Sequence, residues 1–200
     1  MSTTGFALFT TPLGTCGIAW NAVAVTGAQL PEKDEPATRA RMQRRFPAAP
    51  ESTPPPHVQD AIRRITALLR AEHDDLLEIP LAMNGLAPFD RDVYEAARAV
   101  PPGTTVTYGD IAKRIGEPHA AQAVGQALGR NPFAPIVPCH RIVAAGGTMH
   151  GFSAGGGTAT KLRMLTIEGW RSGEPTLFDL GSPPPEPRAC RPPSGRSSPA

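Results

Sequence analysis

Asn131-Pro132-Phe133-Ala134-Pro135-Ile136-Val137-Pro138-Cys139-His140-Arg141-Ile142-Val143 is the segment on which the reading of this chain turns. Its prolines punctuate the chain, because each fixes φ and removes a backbone donor. Cys139 follows one of them and precedes two basic residues, a setting that favours thiolate, since nearby positive charge lowers a thiol pKa from about 8.5. Thiolate is the nucleophilic form. The competing reading is a buried structural cysteine at the end of the apolar run Ile136-Val137. Basic residues at the two following positions argue against full burial, and spacing alone leaves both readings open. A metal site is less economical, because Cys139 and His140 are adjacent and no second pair at ligand spacing follows.

Upstream, Arg91 to Val100 carries Val93, Tyr94, Ala97 and Val100 on one helical face and is stopped by Pro101-Pro102-Gly103. Thr107-Tyr108-Gly109-Asp110 leads into a short helix with Ile111, Ala112 and Ile115, ended by Gly116. After the turn Glu117-Pro118, Ala120 to Leu128 forms a second short helix with Ala121, Val124 and Leu128 at spacings of three and four. Two short helices joined by a glycine-containing turn outline a helix-turn-helix, whose second helix would enter a DNA groove. Downstream, Ala159 to Glu168 is a last helix closed by Gly169, and Gly181 to Ala200, rich in Pro, Ser, Gly and Arg, cannot bury a core.

The first third reads differently. Phe6 to Thr10, Gly17 to Trp20 and Val23 to Leu30 suggest an antiparallel meander with turns at Pro12-Leu13-Gly14 and Trp20-Asn21. Cys16 has no histidine or carboxylate near it in sequence and reads as structural. Pro31 to Pro56 reads as a charged, proline-rich loop, and His57 to Glu72 as an amphipathic helix built on Val58, Ile62, Ile65, Leu68 and Leu69. Nothing in this part looks catalytic.

At 200 residues the chain has material for one or two domains, and 40% hydrophobic content supports a real core. Its 24 prolines exclude a fibre or an uninterrupted helical bundle. Met1 to Pro31 is uncharged but broken by glycines and threonines and has no basic region, so neither a signal peptide nor a membrane span is expected. Three cysteines without Cys-x-x-Cys spacing make no disulfide framework and point to a reducing, cytoplasmic setting. The net charge of +2 is too mild to announce a nucleic-acid partner. Its distribution says more, because Pro118 to Ile167 contains no Asp or Glu but includes Arg130, Arg141, Lys161, Arg163, His119, His140 and His150. Such a stretch gives either a positive surface suited to phosphates or an apolar core segment that simply lacks acids.

Pro138-Cys139-His140-Arg141, preceded by Gly129-Arg130-Asn131-Pro132 and followed by Gly146-Gly147 and Phe152-Ser153, closely resembles the active-site signature of the O6-alkylguanine-DNA alkyltransferases, also called methylated-DNA-protein-cysteine methyltransferases. The resemblance runs over roughly Pro88 to Trp170. It implies an α/β two-domain fold, with a small ribonuclease-H-like N-terminal domain over 1–84 and a mainly helical C-terminal domain with a helix-turn-helix over 85–180. The tail 181–200 is expected to be disordered.

The resemblance also implies direct-reversal DNA repair, in which Cys139 takes the alkyl group from O6 of guanine and keeps it as a thioether, once per molecule. His140 would activate the thiol through a water and be oriented by Glu168. Asn131 would brace the active-site turn, and Tyr108 would help rotate the nucleotide and donate to the base. Ser153 would lie near the guanine oxygen, with Gln122, Gly125, Arg130 and Arg141 on the DNA-contacting side. The implied partner is double-stranded DNA carrying alkylated guanine, met by a monomer without metal, organic cofactor or membrane. Extrusion of the base is required, because the alkyl carbon is out of reach inside a duplex. Two departures stand out: Gln122 occupies the place of an arginine that fills the gap left by the flipped base, and Phe152 with a long glycine loop alters the pocket. The alternatives are a non-catalytic lesion-binding protein, which would lack the acceptor cysteine, and a cysteine hydrolase or acyltransferase, which would need a base in direct reach of the thiol.

Overall fold

Three antiparallel strands open the chain in the computed structural model, which describes residues 3–147 and 157–170. Strand β1 (Gly5–Thr11) pairs with β2 (Gly14–Trp20), which pairs with β3 (Val25–Gln29), in the order β1-β2-β3. Gly14, at φ 125° and opposite Thr11, makes the tight first turn that only glycine adopts without strain. Strand β2 is buried from Cys16 to Trp20 because both its faces are covered. Ile18 and Trp20 face the main core, and Ala19 joins Phe6, Met42 and Ala49 on the other side.

The cover over that second face is helix α1 (Glu35–Arg45), which lies inside the segment expected to be a loop. Its sequence shows no apolar stripe, as only Thr38 and Met42 are buried. The start signal was present: Asp34 accepts from Ala37 N at 2.8 Å, Pro36 falls in the first turn, and Arg44 and Arg45 end the helix. Helix α2 (Pro56–Leu69) covers the first face with Val58, Ala61, Ile65, Leu68 and Leu69 buried, as the periodicity predicts. Truncating a fully buried residue such as Ile65 to alanine costs about 2–5 kcal/mol.

The second half consists of α3 (Pro88–Arg98), the two-residue strand β4 (Val106–Thr107), α4 (Tyr108–Arg114), α5 (Ala121–Gly129), a 3-10 turn (Cys139–Arg141), β5 (Ile142–Val143) and α6 (Gly157–Ile167). Strands β4 and β5 pair in parallel, Val106 with Ile142 and Thr107 with Val143. Two residues are too few to show a period, so this pair was not legible in the sequence. It ties the turn holding Cys139 directly to the start of α4. The buried residues of both halves join in one apolar network, from Ile18 and Val25 through Ile65 and Val93 to Ile111, Val124, Phe133 and Met164. Among the described residues no helix is long and apolar enough to cross a membrane.

Candidate active site

Cys139 begins the 3-10 turn and is half-buried. Asn131 clamps the loop that delivers it: its Nδ2 donates to Val137 O at 2.8 Å, and Phe133 N donates to its Oδ1 at 2.9 Å. The first half of the chain holds the same loop from outside. Ala28 N, on the edge of β3, donates to Pro132 O at 2.8 Å, and Arg45 Nη2 donates to that oxygen at 3.0 Å. This half therefore braces the loop, although none of its residues reaches the reacting atoms in these contacts.

Behind the turn lies a buried charge network. His140 and Arg141 are 0% and 1% exposed, so Cys139 stays short of full burial, as expected, but not because its basic neighbours reach solvent. Their burial is possible because Glu168, just past the end of α6, meets both. His140 Nε2 lies 2.8 Å from Glu168 Oε1, and Arg141 engages both carboxylate oxygens, Nη2 to Oε1 at 2.8 Å and Nε to Oε2 at 2.9 Å. Arg141 Nη1 donates to Val100 O at 2.6 Å, and Gly103 N donates to Glu168 Oε2 at 3.3 Å. Burial alone would push the Glu168 carboxyl up, but His140 and Arg141 overcome it and hold it at about 2. Burial pushes His140 below its ordinary value although Glu168 opposes this, so at neutral pH the imidazole is uncharged. An ionised carboxylate only accepts, so Nε2 of the neutral ring carries the proton and Nδ1 carries the lone pair. Nδ1 is buried and has no hydrogen-bond partner among the described residues.

The thiol itself departs from expectation. Burial pushes Cys139 up; the hydrogen bond from Asn131, the charge of Lys161 and nearby backbone donors act against it. The adjacent basic residues do not lower it, because one is neutral and the other is neutralised by Glu168. The lysine was missed by the sequence reading, which left its segment open between a positive surface and an apolar core. It is fully buried and donates to Ile142 O at 2.5 Å. A signal existed: Lys161, Met164, Leu165 and Glu168 fall at spacings of three and four, so a lysine sits in the buried stripe of α6. Cys16 behaves as expected of a structural thiol, 1% exposed and pushed up to about 12 by burial.

Tyr108 is half-buried in the first turn of α4, where Thr107 and Asp110 form a reciprocal capping box. Burial pushes its phenol up, and Cys139 adds to that shift. Its ring packs against Gly125 of α5, where an added Cβ would lie 3.8 Å from ring carbons. Gln122 is exposed near the start of α5, and Arg130 is exposed and paired with Asp90 at 2.9 Å. Arg141 is the correction among the DNA-contacting candidates. Its guanidinium is turned inward and consumed by Glu168 and Val100, so it supports the carboxylate and is not offered to a phosphate. Of the two readings left open for Pro118 to Ile167, the burial of His140, Arg141 and Lys161 weighs against a positive surface. Ser153, Phe152, His150, Cys190 and the tail lie outside the described residues.

Gly103 was also missed. At φ +77° it adopts a left-handed conformation, and a Cβ there would lie 2.7 Å from Glu168 O. The glycine was visible in Pro101-Pro102-Gly103 but was read only as a helix stop. Among the described residues no three His, Cys, Asp or Glu side chains converge as metal ligands. The arrangement therefore offers one restrained thiol, a neutral imidazole held in one tautomer, and a buried carboxylate fixed by four donors.

The chain is similar to known proteins. The profile of the 6-O-methylguanine DNA methyltransferase DNA-binding domain matches residues 88–170. The methylated-DNA-protein-cysteine methyltransferase of Mycobacterium bovis is 34% identical over 170 residues, 84% of this chain and 94% of that protein. The bifunctional transcriptional activator and DNA repair enzyme Ada of Escherichia coli is 35% identical over 163 residues, 82% of this chain but only 45% of its own length. The crystal structure of Mycobacterium tuberculosis OGT in complex with DNA superposes with a TM-score of 0.66 at 29% identity, covering 82% of this chain and 92% of that one.

Proposed function

Because the chain belongs to the methylated-DNA-protein-cysteine methyltransferase family, we propose that it reverses O6-alkylation of guanine in DNA by moving the alkyl group onto its own Cys139. The observation that carries this assignment is the buried relay from Glu168 to His140 beside a thiol braced by Asn131. With Nε2–H committed to Glu168, His140 Nδ1 is the lone pair that accepts the thiol proton, through a water because adjacent side chains diverge. Lys161 stabilises the thiolate so formed. The thiolate attacks the alkyl carbon in line with the breaking C–O bond, the electron pair leaves on O6, and Tyr108 donates toward the base. The product is a thioether, so each molecule reacts once and no cofactor enters the step.

DNA recognition rests on α4 and α5 read as a helix-turn-helix, with α5 presenting Gln122 and Gly125 and with Arg130 beside it. The same reading divides the chain into a ribonuclease-H-like unit over 1–84 and an alkyltransferase unit over 85–180, acting as a monomer on alkylated double-stranded DNA. Unpaired Cys16 and Cys139 suit a reducing cytoplasm. Ser153 is assigned to the guanine oxygen by resemblance. The lesion-binding alternative is not favoured, because a tautomer-fixing relay serves no purpose without an acceptor thiol.

Cys139→Ser tests the assignment. Transfer of the methyl group from an O6-methylguanine oligonucleotide is expected to vanish, while electrophoretic retardation of that oligonucleotide persists. Persistent transfer would remove Cys139 from the mechanism.

A further inference from the structure

The peptide unit between Pro132 and Phe133 is held at both of its polar ends. At the carbonyl end Pro132 O accepts from Ala28 N at 2.8 Å and from Arg45 Nη2 at 3.0 Å. At the other end Phe133 N donates to Asn131 Oδ1 at 2.9 Å. The Asn131 amide spends one Nδ2 hydrogen on Val137 O at 2.8 Å, and the other serves its hydrogen bond to the Cys139 thiol. Two amide groups therefore connect a guanidinium at the end of α1 to the sulfur, each accepting on its oxygen and donating from its nitrogen.

Arg45 is built into this position. Its Nη1 donates to Ala28 O at 3.1 Å and to Gln29 Oε1 at 3.0 Å, and its guanidinium lies over the Phe46 ring, 5.1 Å from the centroid. A Cβ on Gly27 would run into that ring and lie 3.1 Å from Arg45 Nη2, so glycine at this place in β3 gives the helix end its room. All three acceptors of Arg45 are neutral. Burial, and then repulsion from Arg41, push its guanidinium below the ordinary value, yet arginine stays protonated. A positive charge in low dielectric polarises the carbonyl it touches, and a polarised amide donates more strongly from its nitrogen.

Resting on the reading of Cys139 as the acceptor, we propose that Arg45 is a positioning residue for the transfer: acting through the Pro132-Phe133 peptide and the Asn131 amide, it fixes the sulfur and strengthens the hydrogen bond that Asn131 gives to the thiolate. With the peptide pinned by Ala28 and Arg45, Phe133 N is aimed at Asn131 Oδ1, and this turns the Nδ2 hydrogens toward Val137 O and the sulfur. Other groups also meet the thiol. The charge of Lys161 from α6 acts on it, Cys139 in turn bears on the phenols of Tyr94 from α3 and Tyr108 from α4, and His140 follows it in the chain. Arg45 differs from all of these, because it reaches the sulfur only through neutral amides.

Alkylation of Cys139 by iodoacetamide, followed across pH by mapping the peptide that contains it, reads the thiol without DNA. Arg45→Gln keeps a donor near Pro132 O and removes the charge. The midpoint of its profile is expected to rise by about half a pH unit, the scale of a cooperative strengthening of roughly 10–30% per bond lost over two amides. Methyl transfer from an O6-methylguanine duplex at about pH 7 should slow about threefold with it. Arg45→Lys, which returns the charge, should recover at least half of the shift. In an Asn131→Ala background Arg45→Gln should no longer move the midpoint, because the path is cut. Unfolded chain exposes an ordinary thiol and would move the midpoint down, so misfolding does not imitate the expected result. An unmoved midpoint in Arg45→Gln overturns the proposal and leaves Arg45 a clamp on the fold. A shift that persists in the Asn131→Ala background also overturns it, since the charge then acts through space. Failure of the unaltered chain to take up methyl refutes the underlying reading instead, and the iodoacetamide profile still decides whether Arg45 acts on the thiol.

Discussion

Replacing Glu168 by glutamine removes one charge and changes almost nothing in shape, which makes it the sharpest probe of the relay. The carboxylate accepts from His140, from two nitrogens of Arg141 and from Gly103 N. Glutamine keeps one acceptor oxygen and turns an NH₂ group toward donors, and Arg141, 1% exposed, cannot turn to water instead. Removing one partner of a buried ion pair costs about 3–5 kcal/mol. Proton linkage gives an independent figure. Glu168 is held at about 2 against an ordinary value of 4.5, and at 1.36 kcal/mol per pKa unit the gap is worth roughly 3 kcal/mol.

The sign follows from the direction: a carboxyl whose folded-state pKa is depressed contributes stability that is full above the unfolded value and is lost as pH falls through the folded one. Urea unfolding followed by the fluorescence of Trp20, 5% exposed, measures both effects. At about pH 7 Glu168→Gln should lie roughly 3–5 kcal/mol below the unaltered chain with the same denaturant slope. The difference should shrink as pH is lowered from 4.5 toward 2. A variant within about 1 kcal/mol of the parent at neutral pH, or a difference constant across the acid range, would refute the reasoning.

Three further outcomes follow from the same geometry. Gly103→Ala forces a left-handed residue costing about 1–2 kcal/mol and drives its Cβ against Glu168 O; both stability and transfer rate should fall, and a neutral result would deny this contact its role. Lys161→Met removes the cation that lowers the thiol, so the pH profile of Cys139 alkylation by iodoacetamide should move upward, and an unmoved profile would exclude Lys161 from activating the thiol. Gln122→Arg places a longer, charged side chain at the exposed start of α5; duplex repair should accelerate relative to single-stranded repair, and an unchanged ratio would show that Gln122 does not limit base extrusion.

The helices with an apolar stripe were legible before any coordinates. Val58, Ile65 and Leu68 defined α2, and Val93, Tyr94 and Ala97 defined α3. Helix α1 was not, because a helix covering a sheet with Met42 and little else has no period to read. Cys139 stood out from its neighbours, but Glu168 entered only by resemblance, since nothing local links a carboxylate to an imidazole 28 positions away. The charge of the site was misread for a physical reason. Sequence neighbours show which charges are adjacent along the chain, and folding paired Arg141 with Glu168, neutralised His140 by burial and left the distant Lys161 to act on the thiol. Arg45 was invisible for the same reason, 87 positions from the proline whose carbonyl it holds.

Intact-protein mass measurement after incubation with an oligonucleotide carrying one O6-methylguanine, followed by peptide mapping, tests the central claim most directly. A gain of one methyl group per molecule, saturating at one and confined to the peptide containing Cys139, is the predicted result. An unchanged mass with the oligonucleotide bound, or a methyl group on any other residue, would contradict it.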